Sequence, residues 1–110
     1  MLTFNLKKQW FDKIKSGEKT HEYREVKSYW TKRFMKINAY IYDEYYDEFV
    51  RFSNDFLDDN CVFVCGYASK EDKAKRLKAK IKSISIVDGK NTDLAVDRDV
   101  YDIEFEIIRD

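Results

Sequence analysis

Two long stretches near the end of the chain alternate strictly between apolar and charged residues, and no other feature restricts the possible fold as much. In "RLKAKIKSISIV", Leu77, Ala79 and Ile81 alternate with Lys78, Lys80 and Lys82. In "VYDIEFEII", Tyr101, Ile103, Phe105 and Ile107 alternate with Asp102, Glu104 and Glu106. Side chains on a strand point to opposite faces with a period of two, so each stretch reads as a long strand with one buried face. Ile84 and Ile86 have the opposite parity to Ile81, and a strand that keeps one face buried must slip by one residue near Ser83. A β-bulge is expected there. If the two strands are antiparallel neighbours, the lysine ladder lies beside the acidic ladder and cross-strand pairs neutralise it.

Residues upstream change period repeatedly. "LTFNL" alternates as a strand, and "KKQWFDKIKSG" places Trp10, Phe11 and Ile14 on one helical face, with Lys13 and Lys15 near the C-terminal dipole and Gly17 as a left-handed cap. "KTHEYREV" returns to strand, and "KSYWTKRFMK" reads as a helix capped by Ser28 with Trp30 and Phe34 at i, i+4. Ile37, Ala39 and Ile41 alternate as in a strand, whereas Tyr45, Phe49, Phe52 and Phe56 recur as in an acidic amphipathic helix ending near Asp59. "CVFVCGYA" is a buried strand broken at Gly66, and "SKEDKAKR" is a polar turn. These elements together predict an α+β domain with a curved, mostly antiparallel sheet or small barrel.

Composition limits the functions available. The 110 residues fit one domain, and 44% apolar residues, including eight Phe, eight Tyr and two Trp, are ample for one core. The 21 basic and 21 acidic side chains cancel, which excludes the long-range positive field of a protein that coats duplex nucleic acid. Any nucleic-acid contact must come from a local patch. No apolar run suits a signal peptide or membrane span, so a cytoplasmic protein with no membrane partner is expected. Cys61 and Cys65 on a strand share a face about 13 Å apart, too far to bridge. Without a second Cys pair they are read as buried, reduced thiols; neither a metal site nor a cofactor is expected.

The candidate site follows the Gly17 stop. On a strand, Thr20, Glu22 and Arg24 project from one face at steps of about 6.6 Å, and with Lys19 at the turn they offer cations, a carboxylate and a hydroxyl to one small cleft. An exposed Glu–Arg pair on an edge strand is the plainer alternative. His21 falls on the other, packing face with Tyr23 and is expected to be a core or edge residue. Of the aromatics, Phe4, Trp10, Phe11, Phe34, Phe49 and Phe105 recur at core spacing, which leaves Tyr29 and Tyr67 open to a ligand. Lys73, Lys75 and Arg76 remain available to a phosphate backbone beside the lysine ladder.

A family resemblance coincides with these residues. "FNLKKQWFDKIKSGEKTHEYRE" resembles the opening of ASCH domains, which are PUA-like β-barrel proteins: Ser16, Gly17, Lys19, Thr20, Glu22 and Arg24 match their Ser-Gly-x-Lys-Thr turn and Glu-x-Arg strand. "YWTKR", with Tyr29, Lys32 and Arg33, is similar to a segment of bacterial and phage members, "CGYASKEDKAKRLKAKIKSI", with Tyr67, to their Asn-Gly-Tyr loop and strand, and "VYDIEFEI" to their final strand. The resemblance implies a PUA-like barrel and a cleft for RNA, a nucleotide or a modified nucleoside, lined by Lys19, Thr20, Glu22, Arg24, Tyr29, Lys32, Arg33 and Tyr67. One branch hydrolyses the amide of N4-acetylcytidine with a turn lysine, a strand threonine and a later acid. If the chain were such an enzyme, Lys19 and Glu22 would be its catalytic residues; Glu22 stands where that branch has threonine, and Asp93 and Asp97 are the candidates for the later acid. A third class of function, a protein-interaction module, would use the acidic segment 43–60 and make the cleft incidental.

Overall fold

The computed structural model describes residues 1–109. In chain order it contains β1 (Leu2–Leu6), α1 (Lys8–Lys15), β2 (His21–Glu25), α2 (Ser28–Ile37), β3 (Asn38–Asp43), β4 (Glu48–Phe56), β5 (Asn60–Cys65), β6 (Arg76–Asp88) and β7 (Asp99–Ile107), with single 3-10 turns at Lys73–Lys75 and Gly89–Asn91. Five strands form one mixed sheet in the order β1-β5-β6-β7-β2, and β3 and β4 form a separate hairpin. Only β1 and β5 run parallel; the other neighbours are antiparallel. The sheet curls into a half-barrel with β1 and β2 as its two edges.

The alternating strands behave as their parity requires. Ala79, Ile81, Ile103 and Phe105 are buried in one core with Phe4 and Phe63, and the β6–β7 register shifts between Ile81 and Ser83, which keeps Ile84 on the buried side. Lys80 faces Glu106 across the ladder, and Lys82 reaches Glu104 at 3.6 Å. The two helices close the open side of the core through Phe11 and Ile14 from α1 and Phe34 and Ile37 from α2. Each such side chain removed from water contributes about 1.5–3 kcal/mol. Trp30 and Phe34 stack at 5.7 Å on successive turns of α2.

Two expectations need correction. Ser28 is not the cap of α2: Lys27 holds that position without a side-chain bond, and Ser28 is the first helical residue. The acidic helix is absent, and the segment is the β3–β4 hairpin. Asp43 accepts from the N–H groups of Tyr45 and Tyr46 and Asp47 takes φ 54°, so the reversal is fixed by aspartate turn chemistry. The helical spacing of Phe49, Phe52 and Phe56 has a strand explanation. Two register shifts give β4 one extra residue opposite Ile41–Tyr42 and two opposite Asn38–Tyr40, so intervals of three and four return to the same face. Phe52 is buried in the common core and Phe49 and Phe56 pack against it.

Candidate functional site

The curl of the sheet leaves a cleft of about 400 Å³ at the seam between β1 and β2, lined among others by Asn5, Trp10, Glu22, Arg24, Trp30 and Asp93. Register with β7 decides which β2 side chains enter it. Glu22 pairs with Ile103 and Arg24 with Tyr101, both core residues, so these two face inward; His21 and Tyr23 pair with Glu104 and Asp102 and face outward. Parity thus divides the strand as expected, but the inner and outer assignments are exchanged. His21 is an edge-strand residue and not a core one: it is half-buried, stacks on Tyr23, and its Nδ1 lies 2.7 Å from Asp102 Oδ1 on the outer face.

Glu22 is the centre of the arrangement. Its side chain is 8% exposed, Oε2 accepts from Arg24 Nη2 at 2.9 Å, and Oε1 lies 3.4 Å from Lys19 Nζ. The tight stop of α1 brings Lys19 there. Gly17, at φ 85°, donates its N–H to Ile14, and the Lys19 N–H then returns to Lys13 O; a side chain at that φ is strained. Lys19 is equally buried, pairs also with Asp93, and lies 5.5 and 5.0 Å from the Trp10 and Tyr23 ring centroids. Arg24 crosses the seam: Nη2 donates to the Asn5 carbonyl of the opposite edge at 3.1 Å, and the guanidinium carbon lies 5.3 and 5.0 Å from the Phe4 and Trp30 rings. Its Nε–H is buried without a partner. Burial, then the carboxylates of Asp102, Asp93 and Glu22, push the Tyr23 phenol above its ordinary value.

The expected site residues separate into groups. Lys19, Glu22 and Arg24 form one cluster, and Asp93 rather than Asp97 completes it; Asp97 pairs with Lys90 at 3.1 Å. Lys19 and Thr20 line a second depression of about 260 Å³, which adjoins the cleft along Trp10, Tyr23 and Asp93. Tyr29, Lys32, Arg33 and Tyr67 line neither. Arg33 instead lies 3.4 Å from the Tyr29 ring centroid, and Tyr67 is 95% exposed. Trp10 and Trp30 were the omissions from the site. Helical periodicity marked both for the core, and each is half-buried because the seam interrupts the packing on one side of its ring. Only closure of β1 against β2 reveals that, a contact between residues about twenty apart.

Two cations and two carboxylates balance, so the cluster presents donors and acceptors without surplus charge. Lys19 Nζ lies against two carboxylates, Glu22 and Asp93. Among the described residues no group of three His, Cys, Asp or Glu could hold a metal ion, and no helix is long and apolar enough to cross a membrane. No family model, curated protein or solved structure matches the chain.

Proposed function

We propose that this chain is an ASCH-type, PUA-like binding domain, of bacterial or phage and cytoplasmic type, whose seam cleft receives the base of a nucleotide or nucleoside. The observation that carries the reading is the placement of both tryptophans beside a partly buried, charge-balanced set of donors and acceptors. Rings supply a stacking surface for any base, and the polar set supplies an edge. A carboxylate accepts from an exocyclic amino group, as Glu and Asp do with cytosine N4, while Arg24 and Lys19 donate to a ring nitrogen or carbonyl oxygen. A carbonyl that reached Arg24 Nε would satisfy its open bond. The volume suits a small ligand, and the internal pairing of both cations favours a neutral base over a bare phosphate.

Binding without turnover is the expected behaviour, since Lys19 is held by Glu22 and Asp93 as a donor. Incubation with N4-acetylcytidine should yield no cytidine; release that disappears in Lys19→Met would replace the binding reading by the amidohydrolase one. The test of binding itself is intrinsic fluorescence. Trp10 and Trp30 are the two tryptophans of the sequence and both line the cleft, so cytidine should quench emission saturably in the native protein and much more weakly in Arg24→Met. Quenching by no nucleoside would sink the proposal. A protein-interaction role has a separate observation in its favour: Tyr45 and Tyr46 stand 87% and 69% exposed at the hairpin tip.

A further inference from the structure

Residues 66–78 form a surface that the cleft does not account for. Gly66 is fastened to the cleft strand, its N–H donating to Leu6 O at 2.8 Å and its carbonyl accepting from Asn5 Nδ2 at 2.7 Å. The chain then passes outward through exposed Tyr67, turns at Lys73–Lys75 and re-enters the sheet as β6. Against the outer face of the sheet this excursion encloses a groove of about 640 Å³, floored by Val62 and Ile108 and rimmed by Lys70, Lys73, Arg76 and Lys78. Lysines nearby are neutralised, Lys75 by Asp72 and Lys82 by Glu104. The four rim cations have no carboxylate within 4 Å among the described residues.

Four cations around one groove, without a carboxylate partner among the described residues of a chain of zero net charge, make a local anion-binding surface. Cleft and groove lie at the two ends of one short stretch of chain. Asn5 and Leu6, which hold Gly66, line the cleft, and Lys70 lines the groove; four residues of chain span at most about 14 Å. Between them stands Tyr67, an aromatic face in solvent.

We propose that this groove binds the phosphates of a single-stranded nucleic acid, with the next base against Tyr67 and one base in the cleft. The proposal rests on the cleft being a base site. A single strand is required because a base must be unstacked to enter a cleft or lie on a tyrosine. An acidic peptide would satisfy the rim but would leave Tyr67 and the nearness of the cleft unused.

The test compares cytidine with a labelled single-stranded RNA of about eight nucleotides, a length within the usual span of such sites, on the native protein, Lys73→Glu/Lys78→Glu and Tyr67→Ala. Four phosphate contacts predict that log K falls with log salt at a slope of about −3 for the oligonucleotide. The double reversal should weaken the oligonucleotide at least about tenfold and halve that slope, Tyr67→Ala should weaken it less without changing the slope, and neither should alter quenching by cytidine. Both variants should keep the native circular dichroism, because the replaced side chains are exposed. Unchanged oligonucleotide affinity and slope in the double variant would overturn the groove, as would displacement of the RNA by oligoglutamate at equal concentration. Loss of the cytidine signal, with the dependence on Lys73 and Lys78 intact, would overturn the cleft reading and the link from groove to cleft while leaving the phosphate site standing.

Discussion

Glu22 and Asn38 are the buried polar residues among those described, and of the two Glu22 carries a charge between two cations. Removing Glu22 leaves Arg24 without its carboxylate and Lys19 with Asp93 alone. Glu22→Ala is therefore expected to cost about 3 kcal/mol in urea unfolding, and a loss below about 1 kcal/mol would mean that water reaches Lys19 and Arg24 freely. A second residue contributes to the loss of stability at alkaline pH. Burial, with Asp58 and Asp59 adding to it, pushes the Cys61 thiol from 9.0 up to about 12. Because the folded value is the higher, the protonated thiol's contribution is complete below pH 9 and is lost as pH rises towards 12. Each pH unit in that window removes up to about 1.4 kcal/mol. Tyr23 and Tyr101, raised chiefly by burial, act in the same direction. Cys61→Ala should flatten the decline of unfolding free energy above pH 9, and an unaltered slope would contradict the assignment.

At the scale of the element, legibility followed regularity. Strands β1, β6 and β7, the bulge in β6, the α1 stop at Gly17 and the break at Gly66 could all be read because each obeys a local rule of period, parity or positive φ. The hairpin could not. Its bulges reproduce a helical interval in Phe49, Phe52 and Phe56, and its stabilising contacts are distant: Asn54, at φ 64°, accepts from the Ile84 N–H of β6 at 2.9 Å and lies 3.4 Å from Asn38 Nδ2. Asn54→Ala strains the backbone and leaves the Ile84 N–H unsatisfied, for an expected loss of about 2 kcal/mol and faster hydrogen exchange at Ile84. Site legibility divided in the same way. Lys19, Glu22 and Arg24 emerged from a turn and a parity rule, but the choice of inner face was set by register with β7 eighty residues on. Asp93 was brought in by the loop between β6 and β7. At Gly89 that loop passes so close to its return that a Cβ would lie 2.5 Å from Arg98 O and 2.9 Å from Val96 O. Gly89→Ala should displace the loop and weaken nucleoside quenching while the core still melts cooperatively.

The whole molecule has zero net charge but an uneven distribution of it. Between residues 43 and 59 lie seven acidic side chains and one basic one, Arg51, whereas the rim of the outer groove is entirely basic. Under the proposed reading, an acidic hairpin repels an anionic strand that the basic groove attracts. The hairpin tip should accordingly be irrelevant to ligand binding: Tyr45→Ser/Tyr46→Ser is expected to leave nucleoside affinity unchanged. The curl of the half-barrel, by bringing β1 opposite β2, is what converts two helix-face tryptophans and one strand of charges into a cleft. The most direct measurement is the two-dimensional NMR spectrum of indole and guanidinium N–H groups during titration with cytidine. Saturable, concerted shifts of the Trp10 and Trp30 indoles and of Arg24 Nε–H, with the hairpin amides unmoved, are the predicted result; stationary indoles, or shifts confined to the hairpin, would contradict it.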